Sequence, residues 1–572
     1  MKSKLHFISF LSLFFFTSSL EAQQFEKYYD ASGHVYHDLN MEVMVTQPYS
    51  FFIGGNFFTP NMNLYEPFLQ KNDPSGNVLF AYTLLANNLS NLRLFDMLIH
   101  QNDLVLVGSV EVSPGLRKMF AAKYNIPMNN FTYIFYYDVI SPNFFTEAFH
   151  VIYTEGDYNN DGMPDPGYVI SGYNILSNQD NDGILIRTDE NLRPLIATEI
   201  SSMANVSPKI TNASKVIDTG DGYFVLGAAT YDASKSGVLA HKISYDFSQS
   251  WDASYMLGNQ YDVAADAYYD ANADKIYLLV NYTDTHMFGV TVLNNANGNI
   301  ISSQSWYATS ASNDKYGFTL TPSLSNANNL VITGYDRSSN ISASNTNQIA
   351  ESNVIVFEFD KTNGQIAGNG YQYLIPNTEP GTDPYNFWDA QMPQTYYPDI
   401  SKNYNSVTGV PMNMKLGYYE DPAYNVPDLA VFNVDGNNQN TCNWNNLSYT
   451  TNALTGQTAI NVSSAGGISI NATSFQILMG NQPVNVVDCS SLSIDENKEN
   501  SGQFYPNPVH NLLHLEMPQV KKYVITDLSK RVVRHGDVIQ STIDVSDLKK
   551  GIYFIRLILN KGQYRYLRII KQ

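Results

Sequence analysis

Tyr223-Phe224-Val225-Leu226-Gly227 is an apolar strand that stops on a glycine, and its shape recurs along most of the chain. Phe51-Phe52-Ile53-Gly54, Leu104-Val105-Leu106-Val107-Gly108, Tyr168-Val169-Ile170-Ser171-Gly172 and Leu330-Val331-Ile332-Thr333-Gly334 repeat it. Ile276-Tyr277-Leu278-Leu279-Val280 does so with valine in the last place. The anchors at 54, 108, 172, 227, 280 and 334 lie 54, 64, 55, 53 and 54 residues apart. A second apolar strand follows each anchor, as at 238–244. A turn such as Asp73-Pro74-Ser75-Gly76 or Asn297-Gly298 then leads into a third. Another strand, such as 215–218, enters the turn before the anchor. Four short strands per repeat of this length make one propeller blade, whereas sandwich domains repeat nearer 100 residues.

A seventh unit is anchored at Gly417, 83 residues after Gly334, so it carries an insertion of about 29 residues. The first unit begins near Leu39, which leaves 25–36 unassigned. That stretch is expected to supply a strand beside the Leu429 region and close the ring, since closure removes exposed strand edges. The fold class expected is all-β, a seven-bladed β-propeller followed by a small C-terminal β-sandwich. Blade period and anchor pairs such as Gly172-Tyr173 and Gly334-Tyr335 make the body resemble secreted seven-bladed kelch-like or SBBP-like propellers. Trp-Asp occurs at 251–252 and 388–389 but does not recur once per blade, so there is no repeated Trp-Asp blade signature, and no sialidase box is present.

The 572 residues carry 33 Lys plus Arg against 53 Asp plus Glu, a net charge of −20. Such an acidic chain has no broad face to neutralise phosphates, so nucleic acid is excluded as a partner. Two cysteines rule out a disulfide scaffold and a Cys-rich metal site. Lys2 and Lys4, an apolar run over 7–20 and Ala22 at the cut read as a signal peptide over 1–22. The run is too short to span a bilayer, and no later segment reaches eighteen apolar residues, so no transmembrane segment is expected in the mature chain.

The other end changes sign, with 12 basic and 5 acidic residues over 501–572. The domains expected are a propeller over 25–444, a β-rich closing segment over 445–489, a polar linker over 490–502 and a separate module over 503–572. Short strand-like pieces fill that module. Its blocks are Tyr505-Pro506-Asn507-Pro508, Leu513 and Leu515, Ile525-Thr526-Asp527, Ile543-Asp544-Val545-Ser546, Gly551-Ile552-Tyr553 and the terminal Arg568-Ile569-Ile570-Lys571-Gln572. In this order they resemble the type A C-terminal sorting domain of type IX secretion in Bacteroidetes. Lys530 stands where that family carries a glycine, a departure confined to one turn. The resemblance implies Tyr505, Pro506, Asn507, Pro508, Asp527, Gly551, Tyr553 and Lys571 as the sorting signal and the type IX translocon as partner. It also implies periplasmic transit to the medium or the outer cell surface.

Candidates for chemistry are few. Asp157-Tyr158-Asn159-Asn160-Asp161-Gly162-Met163-Pro164-Asp165 sets oxygen ligands at alternate positions and glycine at the sixth, like the first half of a calcium loop. Asp157, Asn159, Asp161 and Asp165 are therefore candidate calcium ligands, although Tyr168 replaces the glutamate expected at the twelfth position. No other cofactor is expected. The proline-rich insertion over 371–399 holds Tyr385, Phe387, Trp388, Tyr396 and Tyr397, whose rings suit stacking on sugars or peptides. Cys442 and Cys489 are a candidate disulfide in an exported protein. No His-Glu-x-x-His, Gly-x-Ser-x-Gly or P-loop occurs, so no catalytic residue is assigned. The function expected is a secreted or cell-surface propeller that binds or displays itself to an extracellular glycan, protein or matrix. The alternative is a secreted hydrolase for glycan or peptide, with its site at the ring centre.

Overall fold

Each repeat folds as one antiparallel sheet. The computed structural model describes residues 25–488 and 504–571, apart from connecting segments of which 383–400 is the longest. Blade 1 runs Val35–Met44, Ser50–Thr59, Leu64–Asn72 and Val78–Asn87 from the inside outward. Blade 2 follows with Ser90–His100, Asp103–Ser113, Leu116–Asn125 and Asn130–Val139. Blade 3 has Phe145–Thr154, Gly167–Ile175, Asn181–Asp189 and Pro194–Ser202. Blades 4, 5 and 6 begin at Thr211–Asp218, Asp262–Asp270 and Asn313–Pro322 and repeat the plan. Blade 7 has Ser401–Asn405, Pro411–Asp421 and Val426–Val434, and takes its fourth strand from Phe25–Asp30.

Closure follows the expected route. Phe25–Asp30 pairs antiparallel with Val426–Val434, with Tyr29 opposite Leu429. The innermost strands touch in sequence from Val35–Met44 around to Ser401–Asn405, which returns to Val35–Met44. Among the described residues the ring has seven blades. One boundary differs from expectation: blade 1 starts at Val35 rather than near Leu39, and Asp38 and Leu39 are taken up at a bulge between the paired residues His37 and Asn40.

The anchor strand is the second of each blade. Strands flank it on both sides and blades lie over both its faces, so it reads as an unbroken apolar run. In Tyr223–Asp232 the first eight residues are all buried. The anchor glycines answer to a repeated feature of the innermost strand. A β-bulge leaves Phe95, Phe149, Ser214, Ala265 and Phe318 unpaired in blades 2 to 6. The residue before each bulge lies opposite the anchor, as Leu94 opposite Gly108 and Ala148 opposite Gly172. A Cβ on Gly108 would stand 1.9 Å from the Arg93 carbonyl oxygen, and one on Gly172 1.9 Å from that of Glu147. In blades 2, 3 and 4 the bulge pushes a carbonyl into the space of a side chain, and glycine is what leaves it room, whereas blade 5 carries Val280 opposite its bulge.

The closing segment does something the repeat pattern does not announce. Seven short strands between Trp444 and Asp488 add one outer strand to every blade, in reverse order. Trp444–Leu447 joins blade 6, Tyr449–Ala453 blade 5, Thr458–Ala459 blade 4 and Val462–Gly466 blade 3. Ile470–Ser474 joins blade 2, Gln476–Asn481 blade 1, and Asn485–Asp488 lies beside Phe25–Asp30 on blade 7. This belt covers the outer edge of each sheet. Alternate side chains turn inward: Ile468, Ile470 and Ala472 pack on one core, and Phe475, Ile477 and Met479 on the next, while Leu478 is exposed. Asn471, Thr473, Gln476 and Asn481 face solvent.

By internal contacts the chain divides into Met1–Val486 and Val487–Gln572. In the second unit one sheet has Phe504–Tyr505, Leu512–Leu515 and Thr542–Asp544, in that order. The other orders Val532–Asp537, Val520–Asp527, Gly551–Leu559 and Tyr564–Lys571. Leu513, Leu515, Ile525, Ile543, Ile555 and Ile569 share one core between them. Among the described residues no helix is long and apolar enough to cross a membrane.

Candidate functional site

The innermost strand of a blade is a sheet edge, so its inward amides need partners other than a ladder. Side chains of the preceding blade supply them. The Ile99 amide donates to Glu42 Oε2 at 3.3 Å, Val151 to Asp96 Oδ2 at 2.9 Å, and Leu320 to Asp266 Oδ2 at 2.7 Å. The Val216 amide donates to His150 Nδ1 at 3.4 Å, and Lys215 Nζ lies 3.3 Å from Asp266 Oδ1. Asn56 and Asn281 clamp both backbone groups of Leu94 and Gly317 in the same way. These contacts latch blade 1 to 2, 2 to 3, 3 to 4, 4 to 5 and 5 to 6.

At blades 2 and 3 the latch becomes a buried cluster. Glu147 Oε1 accepts from Arg117 Nε and Ser109 Oγ, both at 2.9 Å, while its Oε2 accepts from Tyr173 at 3.0 Å. Arg117 Nη2 donates to Ser109 Oγ at 2.6 Å. Burial holds the Arg117 guanidinium below its usual range, against the pull of Glu147. Burial and the Glu147 charge push the Tyr173 phenol well above its own. Phe95, Phe149 and Tyr173 pack beside it, with the two phenylalanine rings edge-on at 5.5 Å. His150 Nε2 stands 3.8 Å from Asp96 Oδ2.

The 157–165 loop is held by its own amides. Asp157 accepts the Asp161 amide at 3.2 Å and the Gly162 amide at 2.6 Å. Asn159 Oδ1 accepts Asp161 at 2.9 Å, Asp161 Oδ1 accepts Met163 at 2.9 Å, and Asp165 Oδ2 accepts Tyr158 at 3.2 Å. Beneath it, the fully buried Arg187 donates from Nη2 to the Asp165 carbonyl. Asn160 reaches Asp246 of blade 4 at 2.8 Å. Among the described residues no group of three or more His, Cys, Asp or Glu side chains is gathered for a metal.

A recess of about 290 Å³ opens where the belt steps from blade 2 to blade 1, between the turn 87–89, Tyr136 and the stretch 473–476. Sequence reasoning did not single it out, because its walls come from three distant stretches. The aromatic insertion residues Tyr385, Phe387, Trp388, Tyr396 and Tyr397 lie outside the described residues, as do Cys442, Cys489, Pro506, Asn507, Pro508 and the 1–22 leader. The other sorting residues fall on paired strands: Tyr505 opposite His514, Asp527 opposite Tyr553, and Gly551 opposite Lys571. The Tyr553 hydroxyl also donates to the Lys549 carbonyl at 2.8 Å.

Residues 503–572 match the family model of the Secretion system C-terminal sorting domain. The chain carries a type IX sorting domain, and it is a protein secreted to the cell surface or the extracellular space. No curated protein matches it. Among solved structures it is similar to PorZ of Porphyromonas gingivalis, an essential bacterial surface component of the type-IX secretion system. The identity is 9% and the TM-score 0.26, over 91% of this chain and 69% of that one. It is also similar to the extracellular domain of the one-component system BT4673 of B. thetaiotaomicron, at 10% identity and a TM-score of 0.23. That match covers 96% of this chain and 100% of the other.

Proposed function

We propose that the exported propeller is a non-enzymatic binding or display module for an extracellular glycan, protein or matrix partner. The observation that supports this is the use made of the inner ring. Glu42, Asp96, Asp266 and Glu147 each hold an amide, a cation or a hydroxyl of a neighbouring strand or blade, so the acids a hydrolase would need are committed to joining blades. The 503–572 module then engages the type IX machinery and delivers the propeller outside. The alternative, a hydrolase centred on the ring, has one observation in its favour, the approach of His150 to Asp96. One experiment separates them. The mature protein is screened on glycan and protein arrays beside a panel of glycan and peptide substrates. Binding without turnover is the expected result. Turnover that His150→Ala abolishes would establish the hydrolase instead. For export, a chain lacking 501–572 is expected to stay in the periplasm with its propeller folded, and its arrival outside at the normal level would refute the sorting role.

A further inference from the structure

We propose that the recess between blades 1 and 2 is a binding site for a short neutral saccharide. This rests on the binding reading above and gives it a place and a ligand class.

Two cross-strand pairs frame the recess, Tyr136 opposite Thr473 on blade 2 and Asn87 opposite Gln476 on blade 1. The belt crosses between them through a single residue, Phe475, the shortest class of step it makes. That ring is anchored edge-on against Phe120 at 6.2 Å and tilted against Tyr136 at 6.3 Å, so the aromatic wall is fixed from below. On the other side the chain crosses from blade 1 to blade 2 through the turn at Asn88, held at φ 62°. The chain crosses this seam twice, so its walls are tied to paired strands on both blades, and a site held in place before binding pays little ordering cost.

The lining chemistry selects the ligand. No charged side chain lines the recess, although the chain as a whole carries −20. Asn87 Nδ2 donates to Gln476 Oε1 at 3.1 Å, which orients both amides. The Asn88 amide, the Tyr136 hydroxyl and the hydroxyls of Thr473 and Ser474 make no hydrogen bond to any described residue. Amides and hydroxyls that both donate and accept match the hydroxyls of a sugar, and an aromatic face matches its C–H face. A charged ligand would find no counter-ion there. The volume is near the lower end of small-ligand pockets, roughly 300 Å³, which suits a mono- or disaccharide.

The test uses the full mature protein and free neutral di- and trisaccharides of glucose, galactose and mannose, with uronic-acid oligosaccharides and a Ser/Asn-rich peptide as comparison arms. Binding is read by saturation-transfer NMR and quantified by titration. At least one neutral saccharide is expected to bind, and the acidic ones not. The double variant Thr473→Val, Ser474→Ala, on an exposed strand, should lower affinity about tenfold with the melting temperature unchanged, equivalent to about 1.4 kcal/mol. Tyr136→Phe, which keeps the ring, should weaken binding less than Tyr136→Leu. Equal affinity in the double variant would overturn this site and leave the binding reading standing. Binding of the peptide with no neutral saccharide bound would do the same. Substrate turnover with neither bound would overturn both.

Discussion

His241 and Asp182 show how single residues set the pH response of this propeller. Desolvation pushes Asp182 up to about 6, helped by the charges of Glu199 and Asp180. In the native state it therefore keeps its proton up to that pH, while the unfolded chain releases it near 4. Its contribution is present below 4 and lost as pH rises to 6. Burial pushes His241 down to about 4, with neither ring nitrogen hydrogen-bonded. There the unfolded chain gains a proton below about 6.5 that the native chain refuses, so stability is lost as pH falls from 6.5 to 4. The two slopes oppose one another. Asp182→Asn is expected to raise stability at pH 7 by on the order of 2 kcal/mol and to change little at pH 4. His241→Leu should raise it by a similar amount at pH 4.5 and little at pH 7. Urea denaturation across that range checks both, and parallel pH profiles in all three proteins would refute the assignment. The 157–165 loop gives a second test at this scale. Its side-chain oxygens already hold amides and Arg187 supplies a buried cation beneath it, so melting in millimolar calcium and in excess chelator is expected to coincide. Asp157→Ala should cost about 1–2 kcal/mol in both, through lost hydrogen bonds. A calcium-dependent rise that Asp157→Ala removes would instead assign the ion to this loop.

At the scale of the strand, the bulge and the anchor glycine form one unit. The unpaired residue turns the innermost strand, and the carbonyl before it fills the space a Cβ would need. Gly172→Ala is therefore expected to cost at least about 2–3 kcal/mol, since the clash is with backbone on a central strand. Gly220→Ala meets nothing within 4 Å and is strained only by its φ of +78°, so about 1 kcal/mol is expected. Chemical denaturation of the two variants should rank them in that order, and equal costs would show that the carbonyl contact does not matter. The apolar anchor strands were legible because burial on both faces writes an unbroken run. The bulges were not, because an extra residue in an antiparallel pair leaves no mark beyond a phase shift of one.

Over the whole molecule the belt is the element that completes the ring. It covers seven outer edges that would otherwise present unpaired backbone groups. A variant lacking 444–488 should fold its blades but self-associate through those edges, seen as a concentration-dependent mass by light scattering and a lowered melting temperature. A monomer with unchanged melting would refute this role. The sorting module was readable down to its blocks, since each block is local in sequence. The blade period and the closing strand at 25–30 were readable for a related reason: every blade pairs neighbours in sequence, and one unassigned strand at the start answered one missing strand at the end. What the amino-acid order alone determined is thus whatever depends on local periodicity, namely strand, turn, repeat and export module. Only the tertiary structure decided that 444–488 visits every blade backwards, that Glu42, Asp96 and Asp266 are latches, and that Asn88, Tyr136 and Ser474 share a recess. Each of these depends on contacts between residues tens to hundreds of positions apart. A Ser/Thr/Asn-rich stretch or a lone aspartate carries no sign of its partner until the ring has brought the two together.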